Sequence, residues 1–262
     1  MSLASIRTVP LPRETTLRED ALLYLSWVRG AVGRFAPGEN DVTPGPDDGT
    51  TPPAVEAAPP EGVLGTDPRE GPVRADPSDA FGALRQEALS CRRCRLCESR
   101  TTVVFGEGSR RPRLMVVGEA PGADEDATGR PFVGKAGQLL TRMLAAIGLS
   151  RDDVFIANVL KCRPPGNRPP QPDEVASCRP YLLEQMRLLD PALVLVLGNH
   201  AARAVLATDR GITSLRGAVA TSPEGRAVLP TFHPAYLLRN PAAKREAWLD
   251  LQLAARLLGP PP

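Results

Sequence analysis

The sequence predicts an α/β fold: a largely parallel sheet covered by helices on both faces, behind an extension that takes no part in it. Three observations carry this. Apolar runs at 114–117, 153–160, 192–197 and 227–232 recur along the chain, and their near-continuous hydrophobicity suits strands buried on both faces. Segments of helical periodicity separate them, the alternation that builds a parallel sheet. The 29 prolines are uneven, nine of them falling between Asp41 and Ala80 in a stretch too polar to form a core.

Taken in order, residues 14–36 place Leu17, Ala21, Leu22, Leu25, Val28 and Val32 at helical spacing. This predicts an amphipathic helix that either packs on the body or docks a protein partner. Residues 37–80 read as an acidic, proline-rich, disordered linker, because they bury too little apolar surface to offset the entropy of ordering. The extension is therefore set at 1–80 and the compact domain at 81–262. A helix at 81–90 runs into Cys91, and VVFGEG at 103–108 reads as a short strand and turn. The run at 114–117 stops at Gly118, and helical spacing resumes at Ala136. The strand at 153–160 leads through RPPGNRPPQP to a helix near Asp173, where Asp173 and Glu174 would face the positive end of the helix dipole. The strand at 192–197 passes through Gly198 and Asn199 into another helix. The strand at 227–232 ends at His233 and Pro234, and an amphipathic helix at 242–258 closes the chain.

Composition narrows the class. A body of about 180 residues can bury a sizeable core. The chain has no apolar run long enough to cross a membrane and shows no basic-then-apolar leader, so it is read as cytoplasmic with no membrane partner. Its net charge of +2 hides an asymmetry. Residues 1–40 carry +1 and residues 41–80 hold two arginines against nine acids, which together leave +8 on residues 81–262. A basic body suits a polyanionic partner such as nucleic acid.

Two clusters carry chemistry. The first is the loop LMVVGEAPGADEDATGRPFVGKAGQ at 114–138, which combines glycines, prolines, four carboxylates and the ring of Phe132 just beyond a buried strand. Open α/β sheets bind ligands at that place, and glycine lets backbone approach a ligand closely. The second is the cysteine set. Cys91 and Cys94 form a CxxC, Cys97 extends it, and Cys162 and Cys178 lie far downstream. Five cysteines in a cytosolic chain point to thiols or metal ligands rather than disulfides. The spacing fits an iron–sulfur cluster or an irregular zinc site.

Five blocks now share a resemblance: CRRCRLCESRTTVVFGEG, GEAPGADEDATGRPFVGKAGQLL, NVLKCRPPGNRPPQPDE, the later Cys178 and FHPAYLLRNP. In order and spacing, over about residues 81–258, they resemble the family 4 uracil-DNA glycosylases. The resemblance implies a three-layer α/β/α sandwich around a four-stranded, mostly parallel sheet. It also implies a structural [4Fe–4S] cluster held by Cys91, Cys94, Cys162 and Cys178, with Cys97 outside the ligand set. The implied reaction is hydrolysis of the N-glycosidic bond of deoxyuridine in DNA by a monomeric repair enzyme.

Roles follow on that footing. Phe132 is the stacking platform for a flipped base. Asn158, a donor and acceptor at a strand end, reads uracil N3–H and O4. His233 stabilises the departing base through O2, while His200 is read as surface or structural. Ala120 stands where the best-studied branch of the superfamily has an aspartate, and cannot act as a base, although it lies in the substrate pocket. Glu119, then Glu125, are left to position water or to exclude thymine near uracil C5; Asp124 and Asp126 are read as solvated loop charges. Tyr236, Leu237 and Leu238 offer an apolar wedge to DNA. Arg239 and Lys161, with Lys135, Arg163 and Arg168, are set to meet phosphates. Two alternatives accompany this reading: a superfamily relative acting on other deaminated bases, and a non-catalytic metal-containing nucleic-acid-binding module.

Overall fold

A computed structural model describes residues 79–259. The predicted helix at 14–36 and the linker at 37–80 lie outside these residues, apart from the last two linker positions.

Strand β2 (Leu114–Gly118) runs through the centre of the sheet and is buried at every position. Its apolar run has no polar face because β3 (Phe155–Asn158) and β4 (Leu193–Leu197), equally buried, pair with it in parallel on either side. Strand β6 (Ala227–Thr231) adds in parallel to β4. These four are the expected apolar runs, trimmed at their ends. The sheet nevertheless has six strands rather than four, in the order β1-β3-β2-β4-β6-β5. The additions, β1 (Glu107–Gly108) and β5 (Ala220–Thr221), are antiparallel two-residue edges. Two residues are too few to show a periodicity, although VVFGEG had marked the first.

Helices cover both faces. Helix α1 (Ala80–Leu89) packs against α4 (Pro172–Leu189), and Phe81 meets the rings of Phe105 and Phe155 edge-on at 5.4 and 5.6 Å. Between β2 and β3 come α2 (Ala123–Thr128) and α3 (Lys135–Ala145). Helix α3 turns Leu139, Leu140, Met143 and Leu144 inward, the face its spacing predicts. Helix α4 starts with Pro172, a residue suited to the first helical position, and Glu174 accepts from the Gln171 amide at 2.9 Å to cap it. Helix α5 (Gly198–Leu206) packs on β4, β2 and β6, followed by the short α6 (Ile212–Leu215). Helix α7 (Pro234–Arg239) follows β6, and α8 (Lys244–Leu258) returns to pack on β6 and β4.

The chain leaves β2 towards β3 and leaves β4 towards β6. That reversal opens a crevice at the carboxyl ends of the strands, where α/β sheets hold ligands.

Candidate active site

The carboxyl ends of β2, β3 and β6 converge on a cavity of about 490 Å3, ordinary for a small-molecule site. Glu119 and Ala120 enter it from β2, Asn158 from β3, and His233 from the end of β6; Glu125, Phe132, Arg168, Tyr236 and Arg239 complete the wall. The sequence-predicted pocket residues are thus brought together.

Gly118 is the tightest point. A Cβ there would stand 2.4 Å from Asn158 Oδ1 and 2.4 Å from Phe132 Cζ. The strand must end in glycine for the amide and the ring to share one wall. Asn158 is 1% exposed and its Oδ1 has no hydrogen-bond partner. A buried acceptor without a donor is costly, so this oxygen is suited to a ligand N–H.

Phe132 takes a φ of +54°, a left-handed backbone rare for a bulky residue. Its turn is held from both sides. Arg151 donates to the Phe132 carbonyl at 3.0 Å and to the Pro131 carbonyl at 2.7 Å while pairing with Glu107 at 2.6 Å. Glu125 Oε1 accepts from the amides of Val133 and Gly134 at 2.8 and 3.0 Å, and its Oε2 accepts from Gly122 at 3.0 Å. All the bonds of the Glu125 carboxylate therefore go to loop backbone, which places it as a brace for the Phe132 turn. Helix α2, which the sequence reading had treated as loop, carries Glu125 in its first turn beside Asp124 and Asp126. Six residues between glycines give too short a window for a helical period.

Glu119 is half-buried beyond β2. Burial pushes its carboxyl above the usual range, and the charge of His200 pulls it partly back. His200, in the first turn of α5, was read from sequence as surface or structural; the parallel β2–β4 pairing puts it beside Glu119. His233 caps α7, its Nδ1 accepting from the Ala235 amide at 3.1 Å. Burial holds its pKa down to about 4; Arg239 adds to this and Glu125 opposes it. The ring is therefore neutral near pH 7, with its proton on Nε2. It lies 5.7 Å from the Phe132 ring, centroid to centroid.

Three assignments need correction. Lys161 is 2% exposed and donates to the Asn158 carbonyl and Gln185, so it does not reach a phosphate. Leu237 is fully buried, since the segment after His233 is a helix that turns this residue into the core. Its neighbours Tyr236 and Leu238 are 39% and 40% exposed and remain available as a wedge, with Arg239 exposed beside them. Asp126 is no solvated charge: it is 4% exposed and accepts from the Thr101 amide at 3.0 and 3.1 Å. Of the other basic residues, Lys135 is exposed, Arg163 bonds Asn167, and Arg168 is fixed to Glu174 by two bonds at the cavity rim.

Behind β3 lies the second cluster. Cys91, Cys94, Cys97, Cys162 and Cys178 line one small cavity with Arg100 and Lys161, and all five thiols are free. Arg100 Nη1 donates to Cys162 Sγ at 3.2 Å, and the Lys161 amide donates to Cys178 Sγ at 3.2 Å. Burial pushes the Cys94 and Cys162 thiols up and takes Cys178 to about 11. Thiols so placed lose their protons readily only to a metal centre. Among the described residues no three His, Cys, Asp or Glu side chains are grouped to hold a single ion. Several thiols around one cavity make a donor set suited to a metal centre. Cys97 shares the cavity.

Comparison with known proteins places these features. A family profile described as the Uracil DNA glycosylase superfamily matches residues 105–252. The chain is 48% identical over 158 residues to the type-4 uracil-DNA glycosylase of Thermotoga maritima, covering 60% of this chain and 82% of that protein. It is 43% identical over 175 residues to the type-4 enzyme of Sulfurisphaera tokodaii, covering 64% and 80%. Against that of Archaeoglobus fulgidus the identity is 40% over 192 residues, covering 69% and 94%.

Proposed function

The chain belongs to the uracil-DNA glycosylase superfamily, and from that premise we infer that it is a DNA-repair glycosylase that hydrolyses the N-glycosidic bond of deoxyuridine, releasing uracil and leaving an abasic site. The observation that carries the inference is one wall of the cavity, where the unpaired amide oxygen of Asn158 meets the Phe132 ring and a neutral His233.

Cleavage needs a pocket for a base flipped from the duplex, stabilisation of the negative charge that grows on the leaving uracil, and a positioned water. The uracil ring stacks on Phe132, whose braced turn keeps the ring in place before substrate arrives. Asn158 Oδ1 accepts from uracil N3–H. Cytosine presents an acceptor there and would leave the buried oxygen unpaired. His233 donates from Nε2 to uracil O2; being neutral, it holds its proton through the step and stabilises charge without surrendering it. Glu119, ionised above its raised pKa, orients the attacking water. Glu125 acts through the loop backbone. Leu238 and Tyr236 fill the gap left by the flipped base, while Arg239 and Arg168 meet phosphates. The substrate is uracil-containing DNA, and the enzyme acts as a monomer.

The cysteine centre holds a [4Fe–4S] cluster through Cys91, Cys94, Cys162 and Cys178. Bound there, the cluster supplies no chemistry to the bond being broken; it ties the segment at Cys91 to the loop after β3 and the start of α4.

The test is excision from a labelled oligonucleotide bearing one deoxyuridine, followed by alkali. A cut at that position is expected, with no cut at cytosine or thymine. No cut from protein shown to contain iron would favour a relative acting on other deaminated bases.

A further inference from the structure

Lys161 is among the buried charges that the mechanism leaves unused. Lys161 follows β3 by three residues and is 2% exposed. Its Nζ donates to the Asn158 carbonyl at 2.9 Å and to Gln185 Oε1 at 2.6 Å, with the Phe105 ring 6.0 Å away. Gln185 is fully buried and held by its own bond from Nε2 to the Phe105 carbonyl at 2.9 Å. The geometry is closed: both acceptors are neutral. A buried ammonium served only by neutral oxygens is costly, and removing one partner of such a charge is more so. The Lys161 backbone reaches the cysteine centre, its amide donating to Cys178 Sγ at 3.2 Å. One residue thus touches the cysteine centre with its backbone and the last residue of β3 with its side chain.

That last residue is Asn158. Its side chain has no bond holding its amide oxygen in place, and a Cβ-sized intrusion at Gly118 would already displace it. We propose that Lys161 is a positioning residue for base recognition: its backbone amide is anchored on the cysteine centre while its side chain pins the Asn158 carbonyl, so that the pose in which Asn158 reads uracil is fixed from that centre. The proposal rests on the reading of Asn158 and of the cluster given above.

The experiment is a double-mutant cycle with Lys161→Met and Asn158→Ala in the full chain. It is read by inhibition with free uracil and by single-turnover excision, with iron content and visible absorbance measured on every protein. K161M is expected to weaken uracil binding and excision by about 10- to 100-fold, the worth of a hydrogen bond to a charged group, while retaining iron. The double variant is expected to be no weaker than N158A, because Lys161 acts through Asn158. Additive losses, or unchanged uracil inhibition in K161M, would overturn the proposal. If K161M does not fold, Lys161→Gln carries the same cycle with a neutral side chain that tolerates the polar site. Wild-type controls separate the failures. Iron-free wild type overturns the cluster reading and the part given to the cysteine centre with it. Iron-bearing wild type without excision overturns the glycosylase reading, and calorimetric binding of free uracil, which needs no turnover, then decides the cycle.

Discussion

Gly118→Ala adds one methyl group at the point where three strand ends meet. The new Cβ would stand 2.4 Å from Asn158 Oδ1, 2.4 Å from Phe132 Cζ and 2.7 Å from Cε2. Comfortable contacts begin near 3.5 Å, so roughly 1 Å must be found on each side. The backbone of Gly118 cannot yield it, because β2 is paired on both sides and the Gly118 carbonyl accepts from Val159 at 2.9 Å. Nor can the Phe132 backbone, held by Arg151 and against Gly137, where a Cβ would lie 1.8 Å from the Phe132 carbonyl oxygen. The Asn158 amide and the Phe132 ring must therefore move, and a misplacement of about 1 Å in a site of this kind costs on the order of 100-fold in rate. That is about 2.7 kcal/mol of transition-state stabilisation. Overpacking should also cost about 1–3 kcal/mol in stability, so the assay belongs well below the melting temperature. Single-turnover excision should fall by about two orders of magnitude, while affinity for abasic-site DNA changes little. A variant cutting within threefold of wild type would refute the reasoning, since the pocket would then not depend on this close approach.

Other perturbations separate the remaining roles. Because Glu119 has a raised pKa, activity should fall as pH drops through a value above the ordinary carboxylate range; in Glu119→Gln that acid limb should vanish, and a limb left unchanged would assign it to another group. His233→Ala should cut the single-turnover rate by about 100- to 1,000-fold with little change in affinity for abasic-site DNA, whereas equal losses would place His233 in binding. His233 titrates near 4 in the fold and near 6.5 when unfolded, so the unfolded chain binds the extra proton between these values. Wild-type stability should therefore be lost as pH drops from about 6.5 to about 4, more steeply than that of the variant. Cys178→Ser should release iron and lower the melting temperature, while Cys97→Ser should keep its iron; an equal loss from both would bring Cys97 into the ligand set.

The four parallel strands were legible because parallel strands are apolar on both faces and announce themselves as runs. The pocket was legible because its residues sit where those runs stop: Glu119 after β2, Asn158 at the end of β3, His233 after β6. Edge strand β5 and α2 were not, being too short for any period, and β1 showed only as the end of VVFGEG. Gly118 was seen as a loop glycine, but its reason, the meeting of two side chains from distant segments, exists only after folding. The same holds for His200, whose neighbour Glu119 follows a strand 81 residues earlier in the chain and is reached only through the β2–β4 pairing.

Direction, more than identity, is what the sequence withheld. Leu237 and Leu238 are chemically alike and adjacent, yet one is fully buried and the other 40% exposed, because His233 and Pro234 begin a helix and fix its rotation. Lys161 is the sharper case. In a basic body facing DNA, a lysine beside a strand end reads as a phosphate contact. Here the chain beyond β3 stays in the interior, where thiol sulfur and the Asn158 carbonyl lie within reach of the same residue. A buried ammonium must find acceptors, and the Asn158 carbonyl and Gln185, which meet Lys161 Nζ only after folding, explain why it turns away from the solvent.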